Sequence, residues 1–185
     1  TIGVDTTQTV YFTGYITDVR IVKGTAVYTT AFTPPAAPLT AITNTSLLTL
    51  QSNQPVANNT FLDKSTNDFA ITKAGNTTLG TFSPYGTSWS NYFNGSTDYL
   101  TLPSGSLDYI HQGATSNTIE CWFYKASTNT ALISNCTAVS DPNYFVIDVV
   151  TANAIIQIRD NSSQAYAYGP AVTSNQWNHI AVTRN

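Results

Sequence analysis

The sequence predicts an all-β protein folded as an antiparallel two-sheet jelly-roll sandwich, and both its composition and its turn spacing indicate this fold. Hydrophobic residues make up 42% of the 185 residues, whereas charged residues make up only 9%. The abundant Thr, Val, Ile, Tyr and Phe fit a pleated surface, and the long charged side chains that favour helices are scarce. A chain of this length can bury one sizeable core.

Alternation of apolar and polar residues with a period of two supports this fold along the chain. The alternating segments are separated by clusters of Gly, Pro, Asn and Ser, which favour turns. Only residues 106–110 are expected to form a helical turn. The predicted strands are residues 15–22, 47–50, 99–102, 118–124, 131–134, 144–150, 154–159, 164–168 and 177–183.

A proline-rich segment divides the chain. Pro34, Pro35 and Pro38 cannot donate to a strand ladder, and they favour an extended, semi-rigid spacer. We therefore expect residues 34–45 to be a linker between the end of one unit, residues 1–33, and most of a second unit, residues 46–185. If the chain instead forms one closed unit, its first long strand should lie beside the strand at 47–50 in a single sheet.

Several stretches resemble strands of laminin G-like, or concanavalin A-like, jelly-roll domains. Residues 11–35 resemble the last strand of such a domain and the chain that leaves it. Three later stretches resemble its early and middle strands. These later stretches are Tyr92–Leu100, Thr118–Tyr124 and Trp177–Arg184. The resemblance implies the tail of one repeat followed by most of the next, which lacks its last strands.

The Thr- and Asn-rich composition and the Pro-Pro junction resemble those of tandem modules in virion- and tail-associated proteins of aquatic phages. The resemblance implies a location in a virion, outside the cell or on a cell surface. It also implies neighbouring repeats or virion proteins as partners.

Charge and hydropathy exclude two classes of partner. The net charge is -3, the isoelectric point is near 5.0, and Lys and Arg do not cluster, so a nucleic-acid partner is not expected. No apolar run approaches the roughly 18 residues that a membrane helix needs, so membrane insertion is not expected either.

The sequence predicts no catalytic residues. Glycoside hydrolases on this jelly roll need two carboxylates that flank the sugar bond, in retaining enzymes about 5 to 5.5 Å apart. Glu120 is the only glutamate, and its neighbours on the same strand face are Trp122 and Tyr124. His179 alternates with other buried-type residues on a strand, which favours a structural histidine.

Alternation also predicts a face of aromatic and hydrogen-bonding side chains that points away from the core. Aromatic rings stack on the apolar side of a pyranose, while amide, guanidinium and carboxylate groups bind its hydroxyls, so this face favours a glycan or a host-surface polysaccharide. The candidate ligand-binding residues are Glu120, Trp122, Tyr124, Asp148, Gln157, Arg159, Tyr166 and Tyr168. In the alternative interpretation, the face packs on other protein surface and Arg159 pairs with Glu120 or Asp148 only to satisfy charge.

Calcium is the one cofactor that we consider, because structural calcium is common in relatives of this fold and binds hard oxygen ligands. The candidate ligands are Asp98, Asp141 and Asp18. Local turn hydrogen bonds explain Asp98 and Asp141 equally well without a metal.

Three functions therefore remain at this point. The first is a non-catalytic carbohydrate-binding or adhesion module. The second is a structural spacer, or a virion fibre or coat component without a ligand. A glycoside hydrolase is the least favoured, because the carboxylate pair is missing.

Overall fold

The computed structural model describes residues 1–5, 7–53, 61–110, 115–126, 129–135, 144–150, 153–160 and 163–185. Its strands are β1 (Thr13–Lys23), β2 (Thr45–Thr49), β3 (Thr72–Ala74), β4 (Thr78–Gly80), β5 (Ser90–Asn94), β6 (Tyr99–Thr101), β7 (Asn117–Lys125), β8 (Asn129–Ser134), β9 (Tyr144–Val150), β10 (Asn153–Asp160), β11 (Ser163–Ala171) and β12 (Trp177–Arg184). A 3-10 turn, Asp108–Ile110, is the only helical segment among the described residues. The predicted all-β class is therefore confirmed. No helix within the described ranges is long and apolar enough to span a membrane.

Antiparallel pairing organises these strands into two main layers. The first, which we call sheet I, has the order β12-β7-β1-β5-β4, and β2 pairs with the second half of β1. The second, sheet II, has the order β11-β10-β9-β8. A small ladder of β3 and β6 is tied to sheet II through Ile2, which bridges Leu100 and Ile133.

The hydrophobic core lies between the two sheets. On β7, Ile119, Cys121 and Phe123 face inward, as alternation along a strand requires. Phe145, Ile147 and Val149 on β9 meet them from sheet II. The remaining fully packed members include Ile2, Phe12, Ile16, Val19, Ile21, Leu47, Phe93, Leu100, Leu132 and Ile133. Residues from both ends of the chain thus share one core.

Strand β1 occupies the centre of sheet I. It pairs with β7 on one edge, and with β5 and then β2 on the other. Ile21 lies opposite Leu47, so the strand stands beside β2 in a single sheet. Of the two arrangements that the sequence leaves open, the structure has the single closed unit, because β1 completes the same sandwich as residues 46–185. The assignment of these segments to successive repeats of a longer protein stays a prediction.

The segment between β1 and β2 runs over the outer face of sheet I. The amide of Val27 donates to Thr118 Oγ1 at 2.8 Å, and the amide of Leu39 donates to Asp18 Oδ1 at 3.1 Å. The expected linker at 34–45 is thus anchored to the sheet by side chains of β1. We call residues 24–42 the strap.

Gly14 allows β1 to approach β7 closely. Its φ is +139°, and a Cβ at this position would lie 2.0 Å from the carbonyl oxygen of Tyr124. The clash would be with backbone, which cannot move without breaking the ladder. Only glycine fits here without strain.

We expect Gly14→Ala to lower the free energy of unfolding by about 3 kcal/mol or more, since it adds a backbone clash to an unfavourable φ. Urea unfolding followed by circular dichroism measures this change. Gly24→Ala is the matched control, because Gly24 also has a positive φ but has nothing within 4 Å of its added Cβ. Equal losses in the two variants would contradict the clash.

Candidate functional site

The outer face of sheet I carries one half of the predicted ligand residues. Glu120, Trp122 and Tyr124 alternate on β7 with the core residues and therefore point away from the core. Glu120 lies between Arg20 of β1 and Ala181 of β12. Trp122 lies between Thr17 and His179, and Tyr124 lies between Tyr15 and Trp177. The outward direction predicted for these β7 side chains agrees with the structure.

Glu120 is fully buried in this face and is saturated with hydrogen bonds. Its Oε1 accepts from Arg20 Nε at 2.9 Å and Nη2 at 2.6 Å, and its Oε2 accepts from Tyr28 Oη at 2.8 Å. His179 Nε2 lies 3.3 Å from the same Oε2. The third guanidinium nitrogen, Arg20 Nη1, donates to the carbonyl of Thr40 at 2.8 Å. The expectation of an exposed Glu120 is therefore wrong, because β1, β12 and the strap enclose it.

The contacts of Glu120 fix its charge. Burial by itself raises the pKa of this carboxyl, but the interactions with His179, Tyr28 and Arg20 outweigh burial and hold the pKa below its usual range. Burial and the hydrogen bond to Glu120 raise the pKa of Tyr28 to about 12. At neutral pH the pair is thus a carboxylate and a phenol. Glu120 acts as a structural anchor and has no proton to give to a substrate.

Aromatic rings cover this end of the face. Phe32 of the strap stacks on Tyr28 with 3.9 Å between ring centroids, and it meets His179 edge-on at 5.7 Å. Trp122 packs against His179 at 5.1 Å and against Tyr85 at 6.1 Å. His179 is a buried side chain, as predicted, and Trp122 is half-buried rather than open to solvent.

A second aromatic group lies at the other end of the same face. Tyr92, Tyr15, Tyr124 and Trp177 stand in direct cross-strand register on β5, β1, β7 and β12. We call these four residues the aromatic row. Phe82, from the connection between β4 and β5, lies against three of them. Tyr124 is therefore half-buried as well.

The other predicted ligand residues lie on sheet II. In β11, Tyr166 is 53% exposed and Tyr168 is 70% exposed. Register places Tyr166 in line with Gln157 and Val146, and Tyr168 in line with Ile155 and Asp148. Because Phe145, Ile147 and Val149 fill the core, these tyrosines lie on the outer face of sheet II.

The predicted single ligand face is therefore wrong in its geometry. We call Glu120, Trp122 and Tyr124 the Glu120 group, and Asp148, Tyr166 and Tyr168 the Tyr166 group. The two groups belong to different sheets, and the core separates them. A sandwich of two sheets sends outward-facing residues in opposite directions, and alternation alone does not say which sheet a strand joins. The side chains of Gln157 and Arg159 lie outside the described residues. The binding role of each group stays a prediction.

Among the described side chains on the outer face of sheet II, Asp148 has a strongly shifted pKa. Burial, with the nearby charge of Asp5, raises the pKa of its carboxyl to about 7. Its Oδ1 makes no hydrogen bond with any residue that the structure describes. Near neutral pH this carboxyl can therefore either donate or accept a hydrogen bond.

The two calcium candidates that the structure describes, Asp98 and Asp18, have separate sets of partners. Asp98 Oδ2 accepts from the amide of Asn94 at 3.1 Å, which is the local turn bonding stated as the alternative, and its Oδ1 accepts from the amide of Asn76 at 2.7 Å. Asp18 accepts from the amides of Leu39 and Ser52. Asp141 lies outside the described residues. Within the described part of the chain no three His, Cys, Asp or Glu residues form a group that could hold a metal.

Sequence reasoning did not single out Arg20 or Tyr28, although their contacts help to keep Glu120 ionised. One signal for Arg20 was available. A glutamate in the middle of a buried strand needs a cation, and Lys and Arg together number only 7. Arg20 and Arg159 both fall inside other apolar strands, and sequence reasoning considered only Arg159 as the partner of Glu120. For Tyr28 no such signal exists, since its position depends on the path of the strap.

Two antiparallel sheets pack around one shared core, so the protein is an antiparallel β-sandwich. Residues 94–185 match the family described as the Concanavalin A-like lectin/glucanases superfamily, and this match supports a concanavalin A-like β-sandwich of the lectin-like or binding type. No curated protein and no solved structure matches the chain. The resemblance stated from the sequence is confirmed at the level of this superfamily.

We expect Glu120→Ala to lower the free energy of unfolding by about 3–5 kcal/mol, because it leaves the buried Arg20 charge without a partner. Urea unfolding measures the loss. The double variant Arg20→Met, Glu120→Leu is the matched control, and it should cost less than Glu120→Ala alone since it leaves no buried charge. A double variant that is less stable than Glu120→Ala would contradict this account.

Asp18 gives the fold a pH dependence. Burial raises the pKa of this carboxyl from 3.8 to about 6, so the folded state holds the proton more tightly than the unfolded state does. Its contribution to stability is therefore present in full below pH 4 and is lost as pH rises through 6. The loss amounts to about 3 kcal/mol, from roughly two pKa units.

In Asp18→Asn the pH-dependent loss of unfolding free energy should disappear. The amides of Leu39 and Ser52 keep a side-chain oxygen as their acceptor. Asn also tolerates the φ of +52° at this position. Urea unfolding at several pH values between 4 and 7.5 checks the difference between the two proteins. An unchanged pH slope in the variant would show that Asp18 does not titrate in this range.

Proposed function

We propose that the chain is a non-catalytic carbohydrate-binding or adhesion module of a virion or cell-surface protein, and that Tyr166 and Tyr168 form its glycan contact. The observation that carries the proposal is their exposure on one face of one strand. They are the two most exposed of the large hydrophobic side chains in the described part of the protein. Exposed apolar groups that lie together on one face mark interaction surfaces more often than isolated ones do.

The spacing of the two tyrosines suits a sugar chain. Alternate residues of a strand lie about 6.8 Å apart on the same face, so two rings can each meet a sugar unit or grip two faces of one unit. Asp148 stands in register with Tyr168 across β10. Its carboxyl can exchange a hydrogen bond with a sugar hydroxyl in either protonation state.

The Glu120 group is not the primary contact in this proposal. Its carboxylate is already bonded to Arg20 and Tyr28, and its aromatic neighbours are half-buried under the strap. A group whose hydrogen-bonding capacity is used inside the protein has little left for a ligand. The packing alternative therefore describes this part of the outer surface better.

The same observation supports the second candidate, a structural spacer or a virion fibre or coat component. A face filled by the protein's own strap serves rigidity and needs no ligand. The two candidates differ in what they predict for β11. A spacer has no need for Tyr166 and Tyr168 unless they contact a neighbouring module.

Repetition favours the binding candidate in a longer protein. A single site with two aromatic contacts is weak, and several copies raise the overall affinity without any new contact. A host-surface polysaccharide repeats its sugar units and can engage several modules at once. Neighbouring repeats or other virion proteins are the proposed partners in such an array.

Tyr168→Ala should weaken glycan binding by about tenfold or more, because a lost ring contact of roughly 1.5 kcal/mol corresponds to about a tenfold change in affinity. A glycan array, run with calcium chloride and again with a chelator, identifies the sugar. Calorimetric titration with that sugar then compares the variants. Phe32→Ala is the matched control, since Phe32 is also exposed, at 41%, but lies on the strap.

Saturable binding that falls in Tyr168→Ala and persists in Phe32→Ala supports the proposal. Binding that is unchanged in Tyr168→Ala moves the site away from β11. No binding to any glycan, with or without calcium, favours the spacer.

A further inference from the structure

The aromatic row has a regular geometry. Its members lie side by side on four neighbouring strands of sheet I, with ring centroids 5.2 Å apart from Tyr92 to Tyr15, 6.1 Å from Tyr15 to Tyr124 and 5.8 Å from Tyr124 to Trp177. Strands of one sheet are about 4.8 Å apart, so the row extends roughly 14 Å across the sheet. This length matches several sugar units placed end to end.

Phe82 lies on this row. Its ring centroid is 5.0 Å from that of Tyr15, 4.8 Å from that of Tyr124 and 5.3 Å from that of Trp177. Toward Trp177 the rings are tilted by only 32°, so Phe82 takes nearly the position of a stacked ligand ring. The side chain is nevertheless 41% exposed, which is unusual for a phenylalanine that serves only to pack.

The indole N–H of Trp177 has no hydrogen-bond acceptor among the described residues. Its nitrogen, Nε1, is nevertheless buried. A buried donor without an acceptor costs about 1–3 kcal/mol, and Phe82 offers it no acceptor. An acceptor on a bound molecule that reached this nitrogen would satisfy the indole.

We propose that the aromatic row is a second carbohydrate-binding surface, which Phe82 covers until a neutral oligosaccharide displaces it. The ligand class rests on the proposed function and on the chemistry of the row. The row offers ring faces for stacking and an indole N–H for a hydroxyl oxygen. It contains no carboxylate and no cationic side chain, so it suits a neutral sugar better than a charged one.

The connection that carries Phe82 can release it. Residues 81–89 join β4 to β5 and lie outside both ladders. Ser90 Oγ donates to the carbonyl of Phe82, which ties the backbone and leaves the ring free to turn. A ring that rotates about its side-chain bonds can leave the row while the connection keeps its path.

Covering lowers the apparent affinity of the row. A ligand that binds only the uncovered form has its affinity reduced by the fraction of molecules in which the row is open. If about a tenth of the molecules are open, removal of the Phe82 ring strengthens binding by about tenfold. A purely structural Phe82 would give no such gain, because its loss would only loosen the packing.

The test uses the indole signal of Trp177 in two-dimensional 1H–15N NMR spectra of the whole chain. The probes are cellohexaose, laminarihexaose, mannohexaose and chitohexaose, each added in turn to the wild type and to Phe82→Ala. We expect the Trp177 Nε1–H resonance to shift with at least one of them, and to do so at about tenfold lower concentration in Phe82→Ala. Trp177→Phe, which keeps a ring but removes the donor, identifies the resonance by its loss, and calorimetric titration of this variant should show weaker binding.

Phe32→Ala is again the matched control, since Phe32 is as exposed as Phe82 but contacts Tyr28 and His179 and not the row. It should not change the concentration dependence. Melting curves of each variant confirm that it is folded before titration. Should Phe82→Ala fail to fold, Phe82→Leu, which keeps apolar volume but removes the ring, takes its place.

The outcome is distinct from that of the β11 proposal. A Trp177 shift that persists in Tyr168→Ala supports the second surface even if β11 binds no glycan. A glycan that binds through Tyr168 but leaves the Trp177 resonance unmoved in both wild type and Phe82→Ala would overturn the inference while leaving the proposed function in place. A shift at equal concentrations in wild type and Phe82→Ala would show that Phe82 does not cover the surface.

Discussion

The burial of one carboxylate organises the outer surface of this sandwich. An ionised group inside protein is tolerated only with charge-assisted hydrogen bonds, and Glu120 obtains them from Arg20 of β1 and Tyr28 of the strap. Arg20 in turn binds the strap backbone at Thr40. The central strand, its neighbour β7 and the covering segment are therefore joined through one side chain. The path of the strap follows from that requirement.

The two outer faces of the sandwich differ as a result. The face of sheet I is largely occupied by the protein's own residues, from the strap at one end and from the β4–β5 connection at the other. The face of sheet II leaves Tyr166 and Tyr168 open to solvent on β11. The exposed rings on the edge strand β11 give the module a natural direction in which to meet a partner. That asymmetry underlies the functional proposal more directly than the superfamily match does.

Local patterns in the sequence were sufficient to predict most strands. Alternation located β1, β7, β9 and β12 within a few residues, because each has one face in a single core. The short strands β3 and β4 were not predicted, since three residues carry too little pattern to distinguish a strand from a loop. The 3-10 turn at Asp108–Ile110 falls inside the predicted helical turn.

The site was less predictable, and the reason is long-range contact. Alternation gave the outward direction of Glu120 correctly, but its partner Tyr28 is 92 residues away and reaches it only because the strap folds back over the sheet. Sequence alternation also could not show that β11 joins the sheet opposite β7, so two groups of aromatic residues were merged into one face. Side-chain direction is a local property, whereas sheet membership depends on the whole fold.

The position of β7 between β1 and β12 has a mechanical consequence. Gly14 lies opposite Lys125, and Trp177 lies opposite Tyr124, so β1 and β12 run parallel to each other on either side of an antiparallel β7. Tension applied between the start of β1 and the end of β12 acts along the strand axes and shears both ladders. The hydrogen bonds of each ladder then carry the load together instead of opening one at a time. Such a domain resists unfolding when it is pulled between these two points.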